Sequence, residues 1–115
     1  MRLHIKRIYE PAAEGDGKRI LVDRLWPGGV NKNGAHVDIW LKDIAPSTDL
    51  RRWFGHDPNK WDEFRQRYRD ELKNDAVAVH ALEEQIEKSM VTLLCGARDR
   101  EHNNAVVLMD FIRDR

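Results

Sequence analysis

The amino-acid sequence predicts a small α/β domain, in which a short sheet of about three strands is packed by four to five helices. Short apolar runs, of the length of buried strands, occur near residues 20–22 and 91–95, and a short charged run with Leu3, Ile5 and Ile8 is typical of a further strand. Between residues 22 and 91, and again after residue 95, apolar residues recur at helical spacing. The long helical connection implies a right-handed crossover if the strands at 20–22 and 91–95 are parallel, which places their carboxyl ends at one edge of the sheet.

Length and composition limit the function classes. The 115 residues predict a single domain over residues 1–115, and 41% hydrophobic with 35% charged residues is typical of a globular protein. The 20 Lys and Arg residues balance the 20 Asp and Glu residues, so we expect no bulk binding of nucleic acid, although neutrality does not exclude a single nucleotide. The segment Met1–Tyr9 has no apolar core, and no apolar run approaches the roughly 20 residues that span a bilayer. The sequence therefore predicts a cytoplasmic protein without membrane contact.

The first two predicted strands lie close together in the sequence. Leu3, Ile5 and Ile8 mark the first strand, and Ile20–Val22 marks the second, which is predicted to be central and buried. The loop over residues 10–17 is too short for a parallel crossover, so these strands are either antiparallel or not neighbours.

The middle of the chain is predicted to be helical. A first helix is expected over residues 37–44 and is stopped by Pro46, because apolar side chains recur at helical spacing: Val37, Trp40, Leu41 and Ile44. Ser47 is expected to cap a second, short helix through Trp53, which Gly55 ends.

Three more elements complete the chain. Asp57-Pro58 combines an N-cap acceptor with proline at the first helical position, and it opens a helix with the apolar stripe Trp61, Phe64, Tyr68 and Leu72. The next helix carries the stripe Val79, Leu82 and Ile86. The third strand, Val91–Cys95, is followed by a last helix with the stripe Ala105, Leu108, Met109 and Ile112.

Polar residues follow two of the predicted strands, at the positions where α/β sheets collect ligands. The first polar junction is Asp23-Arg24-Leu25-Trp26-Pro27, directly after the second strand. The second runs from Ala97 to Asn104 and leads into the last helix, whose first N–H groups lack helical partners. If the two junctions meet at one sheet edge, they form a binding crevice.

Three motifs occur in order along the chain: Asp23-Arg24-Leu25-Trp26-Pro27, then Trp53-Phe54-Gly55-His56-Asp57-Pro58 with Trp61 and Phe64, then Ala97-Arg98-Asp99-x-Glu101-His102-Asn103. They resemble the family of unknown function 488 (DUF488), in its YeaO-like branch. The resemblance covers almost the whole chain and implies a small cytoplasmic α/β protein, but no established activity, substrate or cofactor. Gly28 departs from the family pattern, in which an arginine usually follows Trp-Pro, and Cys95 stands where an aromatic residue is common.

The second junction has two interpretations. As a binding site, Arg98 holds a carboxylate or phosphate beside Asp99 and Asn103, and His102 moves protons near neutral pH. As a structural segment, Asp99 is the N-cap, Arg98 pairs with a neighbouring acid, and His102 lies on the surface of the first turn.

The first junction contributes further candidates. A buried Arg24 needs a partner, which is either Asp23 or Asp99 in an ion-pair network or the anion of a ligand, with Trp26 stacking on a flat ring. His56 is a second candidate for proton transfer, although Gly55 to Pro58 also serve to end one helix and start the next.

Other chemistries have weaker support. A thiolate at Cys95 would suit a nucleophile or redox sensor, but Glu101 occupies the place of arginine in the Cys-x5-Arg pattern, so burial as a small apolar residue is favoured. The histidines are scattered, and no His-x-x-x-His or Cys-x-x-Cys pair occurs, so no metal and no cofactor are predicted.

The predicted function is therefore the binding of a small anionic or nucleotide-like ligand at the carboxyl edge of the sheet. The sequence specifies neither whether that ligand is turned over nor the oligomeric state. The alternative is a non-catalytic interaction module that partners a nucleic-acid enzyme or regulator through the helix over residues 57–73, whose exposed face carries Arg65, Arg67 and Arg69.

Overall fold

The computed structural model describes residues 2–115, in which four strands form a fully parallel sheet. The strands are β1 (Leu3–Arg7), β2 (Lys18–Leu21), β3 (Ile39–Trp40) and β4 (Val91–Cys95), in the order β1-β4-β2-β3. The helices are α1 (Thr48–Phe54), α2 (Trp61–Lys73), α3 (Ala76–Lys88) and α4 (Asn104–Arg113). The α/β fold class is confirmed, with four strands instead of the expected three.

Strand β4 lies between β1 and β2, and all of its residues are buried. Leu93 pairs with Ile5 on one side and with Ile20 on the other. A strand flanked on both sides and covered on both faces has no solvent-facing side, which explains why every residue except Thr92 is apolar and why the Thr92 hydroxyl donates to the carbonyl of Asp16. Of the two alternatives predicted for the first pair of strands, the second is confirmed, because β1 and β2 are not neighbours.

The helix predicted over residues 37–44 is wrong. The segment instead forms β3, followed by a single 3₁₀ turn at Lys42–Ile44. The N–H groups of Asp38 and Leu41 donate to carbonyl oxygens of β2 at 2.9 Å. Pairing with the open edge of β2 outweighs the helical spacing of the apolar side chains, because spacing is only a local preference.

The predicted start and end of α1 are confirmed, whereas α2 begins three residues later than predicted, after a 3₁₀ turn. Ser47 Oγ accepts the N–H of Leu50 at the start of α1, and Gly55 ends that helix in the left-handed conformation, with φ 54° and ψ 31°. Asp57 accepts the N–H of Asn59 and opens a 3₁₀ turn at Pro58–Lys60, which leads into α2.

The four helices pack on one face of the sheet, and the loop over residues 22–38, between β2 and β3, covers the other. Ile20, Val22 and Leu93 point into the larger cluster with the helices, whereas Leu21 and Leu94 point into a smaller cluster with Ile8, Ala35, Trp26 and Trp40. The alternation follows from the two-residue period of a strand. Tyr68 of α2 is fully buried in the helical layer, and its Oη donates to the carbonyl of Ile44 at 2.7 Å.

Within residues 2–115, no helix is both long and apolar enough to cross a membrane.

Candidate functional site

The carboxyl ends of β2 and β4 lie side by side and open into one cavity of about 330 Å³. Residues that follow both strands reach it, together with the end of α1 and the start of α4. The side chains and backbone that line it include Tyr9, Asp23, Arg24, Trp26, Pro27, Gly28, Arg51, Phe54, His56, Phe64, Gly96, Asn103 and Asn104. Parallel strands with helical crossovers place such a cavity beyond the ends of neighbouring central strands.

Asp23 is half-buried in this cavity and ties the two strand ends together. One carboxylate oxygen accepts the N–H of Gly96 at 2.8 Å, and the other accepts Nδ2 of Asn104 at 3.1 Å. Burial raises the pKa of Asp23. The two hydrogen bonds and the charges of His56 and Arg51 lower it, but burial has the larger effect. No lysine or arginine within residues 2–115 forms a salt bridge with Asp23, so its carboxylate is incompletely compensated.

Arg24 lines the same cavity but pairs with neither of the predicted carboxylates. Its Nε and one terminal nitrogen donate to the carbonyl oxygens of Pro46 and Ala45, both at 3.1 Å. These neutral acceptors fix the plane of the guanidinium without cancelling its charge. Neither Asp23 nor Asp99, the two carboxylates suggested as ion-pair partners of Arg24, holds its guanidinium.

Arg51 and His56 enter the cavity from the end of α1. Both residues are exposed, and in the described part of the chain the guanidinium of Arg51 has neither a hydrogen bond nor an ion pair. His56 has φ 57°, a left-handed conformation that few residues other than glycine adopt, and it directly follows the left-handed Gly55. The sequence pointed to His56 but not to Arg51, since nothing in the local pattern separates Arg51 from Arg52.

The second junction is organised by its own hydrogen bonds. Asp99 accepts the N–H groups of Glu101 and His102 at 2.9 and 3.0 Å, and its other oxygen lies 2.8 Å from Nδ1 of His102. The N–H of Glu101 and the His102 side chain hold the pKa of Asp99 below its usual range. The N-cap of α4 is Asn103, which accepts the N–H of Val106 at 3.0 Å, so the suggested capping by Asp99 is wrong.

The second junction reaches the cavity only in part. Asn103 lines it, but Arg98, Asp99 and His102 do not. Arg98 is exposed, and the ring of His102 meets the edge of Trp61 with centroids 5.2 Å apart. The binding and proton-transfer roles suggested for these three residues stay predictions.

Trp26 and Asn104 form further parts of the wall. Trp26 is held by a hydrogen bond from Nε1 to the carbonyl of Val30 at 2.8 Å and by edge contact with Trp40, at a centroid distance of 5.4 Å. Asn104 donates both to Asp23 and to the carbonyl of Val22, and so fastens α4 to the end of β2. The sequence pointed to the neighbouring cap residue Asn103 but not to Asn104, since nothing in the local pattern marks Asn104.

Cys95 is fully buried, as favoured from the sequence. Burial raises the pKa of its thiol to about 12, so the thiol is protonated at neutral pH. Within residues 2–115, no group of three or more His, Cys, Asp or Glu side chains is arranged to hold a metal ion.

Comparison with known proteins places the chain in a family. The model of the "Inactive DUF488-N3 subclade" matches residues 2–115. The chain is 41% identical over 113 residues to the uncharacterized protein YeaO of Escherichia coli (strain K12), with 98% of each chain covered. It is 40% identical over 114 residues to an uncharacterized protein of Mycobacterium tuberculosis (strain ATCC 25618 / H37Rv), covering 99% of this chain and 96% of the relative. No solved structure matches the chain. The chain therefore belongs to the DUF488 family, as a YeaO-like member.

Proposed function

We propose that this protein binds a small anionic or nucleotide-like ligand in the cavity at the carboxyl edge of its sheet. The observation that carries the proposal is the presence of two guanidinium groups, of Arg24 and Arg51, which line one cavity without a carboxylate partner in the described chain. Arginine is suited to carboxylates and phosphates because its planar donor groups match their oxygens in pairs.

The two arginines differ in how they are held, and the difference suits ligand capture. Arg24 is oriented in advance by the carbonyl groups of Ala45 and Pro46, so little side-chain entropy is lost when an anion binds. Arg51 is exposed and can close on the ligand after it enters. The volume of about 330 Å³ lies at the lower end of the range for ligand pockets and fits a small metabolite better than a polymer.

Binding without turnover is favoured over catalysis. Within residues 2–115 the ring of His56 accepts and donates no hydrogen bond, so no second group orients it for proton transfer. The matching family model describes its subclade as inactive. Gly28 lines the cavity where the family resemblance leads one to expect an arginine, which removes one charged group from the site.

Thermal unfolding of the protein with a panel of nucleotides and small anionic metabolites tests the proposal. A ligand at a hundred times its dissociation constant adds about 2.7 kcal/mol to the free energy of unfolding, which raises Tm by roughly 10 °C in a domain of this size. We expect Arg51→Ala to lose the effect and Arg98→Ala, the matched control outside the cavity, to keep it. A panel without any stabilising anion, or a stabilisation that Arg51→Ala retains in full, would contradict the proposal.

The alternative, an interaction module that uses the basic face of α2, has less support. Its three arginines each lie beside an acid: Arg65 3.7 Å from Asp62, Arg69 3.0 Å from Asp114, and Arg67 in an ion pair with Glu63. A face whose cations are paired releases few counterions from a nucleic-acid backbone. Titration with DNA and RNA at low and raised salt tests this alternative, and salt-sensitive binding that Arg65→Ala weakens would favour it.

A further inference from the structure

The cavity contains an acceptor as well as cations. Arg24 and Arg51 supply positive charge, yet the carboxylate of Asp23 faces the same space and is bonded to neither of them. A site for a simple anion gains nothing from a carboxylate in its wall, because like charges repel. The presence of Asp23 therefore points to a ligand with two chemically different ends.

The hydrogen-bonding capacity of Asp23 is only partly used. A carboxylate offers about four acceptor positions, and the N–H of Gly96 and the amide of Asn104 occupy two of them. Both donors belong to the fold itself and hold the carboxylate still, with one oxygen toward β4 and the other toward α4. Burial raises the pKa of Asp23, so the carboxylate gains from any further donor that a ligand brings.

The rest of the wall suits a flat ring. Phe54, Phe64, Trp26 and Pro27 line the cavity with apolar surface, and Trp26 is fixed by its bond to Val30. A planar heterocycle can rest on such a surface while its edge meets a carboxylate.

Building on the proposed binding of an anion, we infer that the ligand is a nucleoside monophosphate whose base carries an exocyclic amino group. The amino group donates to Asp23, and the phosphate lies against Arg51 and Arg24. Adenine, cytosine and guanine bases carry such a group. The deaminated counterparts of the first two, hypoxanthine and uracil, place a carbonyl oxygen where the amino group was. That oxygen would face the carboxylate of Asp23 in the position that the amino-bearing base occupies. Deamination also turns the neighbouring ring nitrogen into an N–H donor, but that donor reaches the carboxylate only if the base shifts in its plane, away from the wall that holds it, so binding would weaken.

Calorimetric titration of the full-length protein with two matched ligand pairs tests the inference: AMP against IMP, and CMP against UMP. Losing a hydrogen bond to a charged group costs about tenfold to a hundredfold in affinity, so AMP and CMP are expected to bind at least about tenfold more tightly than their partners. The comparison needs no substitution, so it does not depend on whether a variant folds.

Variants then assign the preference to Asp23. Asp23→Asn turns the acceptor into a group that can also donate. The preference for AMP over IMP and for CMP over UMP is therefore expected to fall to within about twofold or to reverse. Asp43→Asn, an exposed carboxylate outside the cavity, is the matched control and should keep the wild-type ratio. Arg51→Ala is expected to weaken the binding of all four nucleotides and of inorganic phosphate.

The outcomes separate the two proposals. Equal binding of all four nucleotides that Arg51→Ala abolishes would overturn the role of Asp23 and leave the anion site standing. Failure of all four nucleotides and of inorganic phosphate to bind the wild-type protein would overturn both. A preference for amino-bearing bases that Asp23→Asn removes would establish the base subsite.

Discussion

Asp16 is the acceptor of a buried ionic cluster, and its removal gives the sharpest test of what stabilises the start of β2. Its carboxylate accepts Nζ of Lys6 at 2.8 Å, a terminal nitrogen of Arg19 at 2.6 Å and the N–H of Ala13 at 3.0 Å. The side chains of Asp16 and Arg19 are only 8% and 5% exposed. A charge pair this deep stabilises the fold only while both partners are present.

The magnitude follows from the pKa of Asp16. Burial alone would raise that pKa, but the hydrogen bonds from Lys6, Ala13 and Arg19 outweigh burial and lower it from 3.8 to about 2. Because the pKa is lower in the folded state, the stabilisation is fully present above the unfolded value and disappears as the pH falls through about 2. The lowered pKa corresponds to a stabilisation of about 2 kcal/mol. Asp16→Asn also leaves Arg19 without its acceptor, so the expected total loss at pH 7 is about 2 to 4 kcal/mol.

Urea unfolding of the wild type and Asp16→Asn at pH 7 and pH 3 measures this loss. At pH 3 the charge-dependent part of the stabilisation falls to about half, so the difference in the free energy of unfolding between the two proteins should narrow by about 1 kcal/mol. Glu63→Gln breaks an exposed ion pair with Arg67 and should cost no more than about 0.5 kcal/mol. A loss below about 1 kcal/mol at pH 7, or the same difference at both pH values, would refute the reasoning.

Three further substitutions and treatments have defined outcomes. Gly17→Ala should lower the free energy of unfolding in urea by about 2 kcal/mol or more, because φ at Gly17 is 64° and the new Cβ would overlap the carbonyl oxygen of Met90. Gly15→Ala is the control and should be nearly neutral in the same measurement, since a Cβ at Gly15 would have no atom within 4 Å. Tyr68→Phe should cost about 1 to 3 kcal/mol by thermal unfolding, since it leaves a buried carbonyl without its 2.7 Å hydrogen bond, and an unchanged Tm would contradict that role. Iodoacetamide should leave Cys95 unmodified at pH 8 and alkylate it only after denaturant is added, because burial raises the thiol pKa to about 12; mass spectrometry would reveal any native-state labelling.

The fold could be predicted from the sequence where local signals agree with the tertiary structure. β4 is apolar except at Thr92, and α1 has both a capping serine and a terminal glycine, so each was located to within about one residue. The prediction for the segment around β3 failed because its apolar side chains have helical spacing, while its backbone hydrogen bonds go to a strand about twenty positions earlier. The N–H of Leu41, for example, donates to the carbonyl of Leu21. Pairing over that separation leaves no trace in a short window of sequence.

The site was predictable in place but not in composition. Asp23, Arg24 and Trp26 stand where a central strand ends, and the topology of an α/β sheet then puts them at a cavity. Arg51 is brought there by the packing of α1, which no motif encodes. Arg98 stands beside the second junction in sequence and yet lies outside the cavity, because adjacency along a loop does not fix the direction of a side chain.

The loop that covers the second face of the sheet has a consequence for how this fold can diversify. Residues 31–34 are exposed, and a Cβ added at Gly28 or Gly34 would touch nothing within 4 Å, so the segment tolerates new side chains. Lengthening a surface loop costs little, since each doubling adds only about 0.6 kcal/mol. Trp26 and Gly28 belong to this same stretch and line the cavity. Insertions in this loop can thus remodel one wall of the cavity while the helices on the opposite face of the sheet keep their packing. Residues 31–34 are for the same reason the place to insert a reporter or a second domain.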